Sequence, residues 1–305
     1  MPPKNVWCSF PDKKERKLDY QRVVNHLEEG RKIAEAFSIG QRKATWKVKP
    51  EMENVPIGFT MMSDLHFGSI LIDYPVLNQH LKDIEHTPNM YLGTNGDHVD
   101  FFNADKHPTG MYENPISPQM QARTIMGRFK QLDDKGKVAV LSQGNHDNFG
   151  KQGGQDFYDS FMSDFKCPIF TTGGVLTIEF ESGVSYTIVI NHTFWGRSKI
   201  NITNPAKRMI EYETGGTADV GWVGHTHQSS FEYYDKGSKS FLAVVSGTYK
   251  ATDPWASSIG LGSHPGDPGI TLLLWPNKFH MECCKNYFAA KEIVTALGGV
   301  ERKKK

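Results

Sequence analysis

Hydrophobic positions along this chain follow two periods. Between residues 14 and 37, Tyr20, Val23, Val24 and Leu27, then Ile33, Ala34 and Phe37, recur at helical spacing, which predicts an amphipathic helix ahead of the main body. The stretch "QRKATWKVKPEMENVP" reads as a connector. From Ile57 onward, short apolar or alternating runs end repeatedly in small and polar residues: "IGFTMMSDLH", "MYLGTNGD", "KVAVLSQGNHD", "SYTIVINH", "DVGWVGHTH" and "FLAVVSGT". Helical stretches lie between several of them, near Tyr74–Glu85, Pro118–Leu132, Gln155–Phe165 and Asn204–Glu213, and "ITLLLW" and "FHMECC" add two late strands. Alternating strands and helices predict α/β layers with function on the loops at strand ends.

Composition narrows this picture only a little. A length of 305 residues suits one large domain or two small ones. Lys plus Arg is 35 and Asp plus Glu is 34, a net charge of +1, so any affinity for polyanions must be local. The opening "MPPKNVWCSFPDKKERK" has no apolar leader core and no later run is long enough to span a bilayer. A cytoplasmic location with no membrane partner is the expectation, and no protein partner is evident. Cys8, Cys167, Cys283 and Cys284 show no C-x-x-C spacing and read as reduced, partly buried thiols.

The chemistry sits where the strands stop. Five successive strand ends finish with metal-competent groups: Asp64 and His66, then Asp97, then Asn145 and His146, then His192, then His225 and His227. Each has an ordinary reading when taken alone. Asp64 suits a turn cap, Asn145 a left-handed position, and His192 a hydrogen-bonded core imidazole. Together, at one end of a sheet, they point to metal. His225 and His227 are one residue apart, so an extended or turning backbone can aim both at one point. Carboxylates, an amide oxygen and imidazoles suit Mn, Fe, Zn or Co, with Ni as a further alternative. So many donors exceed one ion. Two ions sharing a carboxylate would use nearly all of them, activating a water while clamping a phosphoryl group.

"DLH" at 64–66, "GDHVD" at 96–100, "GNHD" at 144–147, the histidine of "NHT" at 191–193 and "GHTH" at 224–227 resemble, in order, the motifs of the calcineurin-like metallophosphoesterases. The resemblance spans roughly residues 57 to 250. It implies an α/β fold: a four-layer αββα sandwich in which two mixed β-sheets pack face to face with helices outside. It also implies two divalent ions, Mn first among them. Asp64, His66 and His227 would hold one, Asn145, His192 and His225 the other, and Asp97 would bridge them. His146 would donate a proton to the leaving oxygen, with Asp147 either orienting that imidazole or shaping the loop. His98 and Asp100 fall inside the second motif as supporting residues.

The resemblance leaves the substrate open, because the family includes protein phosphatases, nucleotide phosphodiesterases, phospholipid-headgroup hydrolases and nucleases. After His192, "TFWGRSKINITNPAKRMIEY" offers Arg197, Lys199, Lys207 and Arg208 for phosphates and Phe194 and Trp195 for stacking on a base. A solvated helix face and core aromatics explain the same residues. Residues 101–117, with His107, are of the kind that rims an active site. "SGTYKATDPWASSIGLGSHPGDPG" resembles the corresponding part of phosphoesterases from bacteriophages and bacteria. The reading favoured is a phosphodiesterase, nuclease-like, taking a phosphoester in a single-stranded nucleic acid or a nucleotide. The alternatives are a phosphomonoesterase and, as the related retromer subunit illustrates, a binding scaffold without catalysis. In this reading residues 1–56 are a helical extension and connector, 57–285 the hydrolase domain and 286–305 a tail.

Overall fold

The computed structural model describes residues 20–40, 42–101, 112–148, 164–252 and 267–304. The expected helix over Gln155–Phe165, His107 and most of the glycine-rich segment after "FLAVVSGT" lie outside these residues. The chain divides into Met1–Gln41, in which helix α1 runs over Tyr20–Gly40, and a compact unit from Arg42 to Lys305.

The compact unit holds two mixed sheets. Strands β1 (Lys43–Val48), β2 (Ile57–Met62), β3 (Met90–Asn95), β4 (Val138–Ser142), β5 (Ile169–Phe170), β6 (Gly174–Phe180) and β7 (Ser185–Ile190) precede β8 (Val220–Val223), β9 (Ser230–Lys236), β10 (Lys239–Val245), β11 (Ile270–Leu274) and β12 (Met281–Cys284). One sheet has the order β1-β6-β7-β8-β10-β9 and the other β12-β11-β2-β3-β4-β5. The central pairs β2–β3, β3–β4, β7–β8 and β8–β10 are parallel, which directs the ends of β2, β3, β4, β7 and β8 into loops that can carry function.

Strand sequence explains the layering. All positions of β2, β3 and β4 are buried, as expected of strands covered on both faces. Alternate residues of β2, Ile57, Phe59 and Met61, enter a core shared with Leu176, Ile178, Ile188, Trp222, Leu242 and Val244 of the other sheet. On the outer face of β2's sheet, Met62 and Leu92 meet α2 (Tyr74–His86), α3 (Pro118–Asp134) and α5 (Tyr287–Lys304) through Leu81, Phe129 and Val294. On the outer face of the second sheet, α4 (Asn204–Thr214) packs Ala206, Met209 and Ile210 against Val189, Val223 and Val245. The result is the helix–sheet–sheet–helix order that the sequence implied.

Two boundaries differ from the sequence reading. Residues 43–48, taken as connector, form β1 and pair in parallel with β6; its burial alternates, so only Ala44, Trp46 and Val48 face inward and the stretch carries little apolar signal. Residues 286–305, taken as a tail, contain α5, whose Tyr287, Ala290 and Val294 are fully buried. Cys167 is a buried free thiol, pushed well above its usual range by burial and then by Asp133, in keeping with an unreactive core residue.

Trp222 lies at the centre of the contact between the sheets. It is fully buried, meets Phe59 edge to face at 6.1 Å and donates from Nε1 to Ser246 Oγ at 2.8 Å. Trp222→Ala is therefore expected to cost about 3–5 kcal/mol of unfolding free energy in a denaturant titration. A loss under about 1 kcal/mol would show that this contact does not hold the sheets together.

Candidate metal centre

Asp64 and His66 follow β2, Asp97 follows β3, Asn145 and His146 follow β4, His192 follows β7, and His225 and His227 follow β8. The loops are tied together by backbone bonds. Asp64 N donates to Gly96 O (3.0 Å), His66 N to Asp97 O (2.9 Å) and Gly224 N to His192 O (3.0 Å). Asn95 joins the two sheets at this end, its Nδ2 donating to Asn191 O (3.1 Å) and Trp222 O (3.2 Å). Asp64, His66, Asp97, His225 and His227 all have positive φ, between 44° and 69°. Side chains rarely adopt this left-handed backbone, and such strain gathers at functional sites. Gly144 is required by proximity, because a Cβ there would collide with Asp97 Oδ1 and N.

These loops bring together three groups of donors, Asp64 with His66 and His227, Asp97 with His192 and His225, and His66 with Asp100 and His146, the candidate atoms of each lying within 4.8 Å of one another. One atom connects the first two groups. Asp64 Oδ1 is 3.4 Å from His227 Nε2, 4.0 Å from His66 Nε2 and 3.8 Å from His192 Nε2. Asp97 Oδ2 lies 3.1 Å from His192 Nε2. The remaining carboxylate oxygens are anchored. Asp64 Oδ2 accepts from Ser63 Oγ (2.5 Å) and His225 N (2.9 Å), and Asp97 Oδ1 accepts from His146 N (2.8 Å).

The imidazoles are oriented in the same way. His66 Nδ1 bonds Asp100 Oδ1 at 2.9 Å and His192 Nδ1 donates to Asn95 O at 2.7 Å, which leaves each Nε2 facing the donor cluster. His66 Nε2 and His227 Nε2 stand 3.0 Å apart. Asp64 Oδ1, Asn145 Oδ1 and His192 Nε2 are buried with no hydrogen-bond partner among the described residues; the short approach of Asp97 to His192 is an ionic contact without hydrogen-bond alignment. Two orphaned ligand atoms 3.8 Å apart, Asp64 Oδ1 and His192 Nε2, with a third on the loop after β4, are the feature that ordinary packing does not explain.

Charge at the site is unbalanced toward the negative. Burial pushes the Asp64 carboxyl up, but His192 and His227 outweigh it and hold it at about 2; Asp97 is held well below the usual range against burial, by His192 first. Burial pushes His192 down, yet Asp97 and Asp64 raise it to about 10. By contrast, burial and then Lys250 lower His66 to about 4, and burial and then His192 lower His225 to about 4, which keeps both neutral and ready to donate a lone pair. A single proton on His192 thus occupies a place where the carboxylates favour positive charge.

Some residues read from the sequence take different roles. Asp147 does not orient His146. Its Oδ2 accepts from Gly144 N (2.8 Å) and lies 3.2 Å from His98 Nδ1, and its Oδ1 accepts from His98 N (2.9 Å), so the carboxylate shapes the loop. His146 is instead held by the backbone, Nδ1 donating to Asp100 O at 2.5 Å, and its ring meets His66 edge-on at 4.6 Å. Sequence reasoning missed Lys250, 3.5 Å from Asp100 Oδ1, and Thr248, whose hydroxyl donates to Asp64 O at 2.7 Å. The run "FLAVVSGT" was the available signal, since it is one more strand end on the same side. Arg197 and Lys199 are exposed; Arg197 Nη2 donates to Thr193 Oγ1 (2.5 Å), and its charge is felt at His225.

No protein-family model and no curated protein matches the chain. Solved structures similar to it include Vacuolar Protein Sorting 29 from Cryptosporidium parvum, at 12% identity and a TM-score of 0.35, with 76% of this chain and 98% of that chain covered. Wild-type Vps29 from Entamoeba histolytica, complexed with Zn, is 10% identical with a TM-score of 0.37, covering 75% and 97%. Vps29 from Chaetomium thermophilum is 11% identical with a TM-score of 0.35, covering 75% and 97%. These matches to a protein-sorting component overturn the expectation that no protein partner is evident, which is withdrawn. No helix among the described residues is long and apolar enough to cross a membrane.

Proposed function

We propose that this chain is a dinuclear-metal-dependent phosphoester hydrolase, acting first of all on the phosphodiesters of nucleic acid or nucleotides in the cytoplasm. The observation that supports this reading is three buried ligand atoms without hydrogen-bond partners among the described residues, on the loops after β2, β4 and β7, with His66 and His192 bonded outward through Nδ1. Asp64, His66 and His227 would hold one ion and Asn145, His192 and His225 the other, with Asp97 between them. Mn suits this mixed oxygen and nitrogen set, and Fe, Zn, Co and Ni are the alternatives. When bound, the ions supply Lewis acidity at the phosphoryl oxygens and a nucleophile drawn from water.

The chain's own residues would do the rest. Asp100 and Asn95 fix the rings of His66 and His192, so the donor atoms are in place before substrate arrives. His146, held through Nδ1 by Asp100 O, would carry a proton on Nε2 to the leaving oxygen. Arg197, exposed five residues after His192, would meet a phosphate of the substrate.

Chelation with EDTA is expected to abolish hydrolysis, and Mn to restore it more fully than Mg. Full turnover in a thoroughly stripped sample would end the metal proposal. The substrate question is answered by initial rates, with Mn, on a generic phosphodiester and its matching monoester. Faster diester cleavage supports the nucleotide reading, faster monoester cleavage moves the assignment to a phosphatase, and silence on both moves it to a binding scaffold.

A further inference from the structure

Helix α4 and the loop before it build a second site that the hydrolytic chemistry leaves unused. Arg208 and Tyr212 are four residues apart on α4 and share one face of it. Trp195 lies across both, with the Arg208 guanidinium 4.3 Å from its ring centroid and the Tyr212 ring 4.9 Å away. Gly196 permits the approach. It has φ 93°, and a Cβ there would lie 2.6 Å from Arg208 Cδ and 3.0 Å from Asn204 Nδ2. Trp195 remains 51% exposed and Tyr212 68%, whereas Phe194 beside them packs on the core under α4.

A cavity of about 420 Å³ opens next to this stack, lined by Lys207, Arg208, Glu211, Tyr212 and Tyr234. Of its lining residues, Glu211 Oε1 and Tyr234 Oη are closed off from solvent and have no hydrogen-bond partner among the described residues. The other Glu211 oxygen is held by Lys236 at 2.5 Å.

Charge favours an anion on that ligand. Each carboxylate nearby is matched, Glu232 with Lys207 (2.5 Å), Glu211 with Lys236 and Glu213 with Arg42 (2.7 Å). Arg197 and Arg208 have no carboxylate partner among the described residues.

We propose that Trp195, Tyr212 and Arg208, beside the cavity that Lys207 and Tyr234 help to line, bind an unpaired nucleic-acid strand through a stacked base and its phosphate. Stacking needs a base released from a duplex, and Arg208 and Arg197 take the backbone charge. The assignment names the substrate class of the proposed hydrolase and rests on that reading; strand binding itself needs no hydrolysis.

The test is fluorescence anisotropy of labelled oligo(dC), oligo(dT) and a duplex of equal length with the full chain in EDTA, where no cleavage intervenes. Both single strands are expected to bind more tightly than the duplex, Trp195→Ala to weaken them about tenfold, and Trp195→Phe to recover most of the loss. Arg208→Ala should reduce the slope of log affinity against log salt by about 0.7. Melting midpoints confirm that each variant is folded. Binding unchanged in Trp195→Ala, or equal affinity for the duplex, overturns the assignment. So does self-association through Trp195 in sedimentation with no oligonucleotide bound, which would make the shelf a protein-docking surface. Cleavage of a small phosphodiester without strand binding rejects the shelf and leaves the hydrolase; strand binding without any cleavage rejects the hydrolase and leaves the shelf.

Discussion

Asp97→Asn is expected to leave a folded chain that retains less than one equivalent of Mn after dialysis and hydrolyses phosphodiesters at least ~100-fold more slowly. The reason is local. Asp97 Oδ1 is committed to His146 N, and Oδ2 is the oxygen that faces His192, so the substitution removes one of the two carboxylates of the proposed ligand set and places an N–H or neutral oxygen toward the cluster. It also removes the first-ranked opposing charge to burial at His192, so that imidazole should titrate lower than in the parent. Metal content by elemental analysis, with circular dichroism to show that the fold survives, decides the matter. Two equivalents of Mn in the variant would remove Asp97 from the proposed ligand set.

A second large effect is expected at His146, and its signature is different. His146→Ala should keep the metal content of the parent and lose about 10²–10⁴ in turnover, the range for removing a general acid or base. Its ring is positioned by Asp100 O and the edge of His66, and its backbone N–H, which serves Asp97, is kept in the alanine variant. A phosphodiester whose leaving group needs no proton should be hydrolysed by the variant at close to the parental rate, because the missing proton then costs nothing. Loss of metal in His146→Ala would instead place this ring among the groups that hold the ions.

The candidate centre was legible in the sequence because each contributing residue follows an apolar run and a small residue, so strand end and donor type are read in the same few letters. Asp64, Asp97, His192 and His225 all carry that signal. What supports them was harder to read. The partner of His146 is a backbone carbonyl, which no residue letter encodes, so the neighbouring Asp147 attracted a role that belongs to Asp100. Lys250 is far in sequence from the aspartate it approaches, and its burial shows only once β10 is placed beside β8. At the level of the fold, the fully buried strands announced themselves and β1 did not, because an edge strand with alternate exposed residues looks polar. The charged end of α5 concealed the buried stripe of Tyr287, Ala290 and Val294 that fastens it to the sheet. For "TFWGRSKIN", the two aromatics separate: Phe194 packs on the core, as the ordinary reading had it, and Trp195 faces solvent.

The left-handed backbone at Asp64, His66, Asp97, His225 and His227 has a bearing on the life of the protein as well as on its chemistry. Strain of roughly 1–3 kcal/mol at each such residue burdens the empty chain as much as the loaded one. Only the loaded chain has the offsetting gain, which reaches about 4 kcal/mol when an ion stands at a thousand times its dissociation constant. A cell starved of the ion would therefore hold copies that open and are degraded sooner, so that abundance of the protein follows its metal supply without any regulator to connect them.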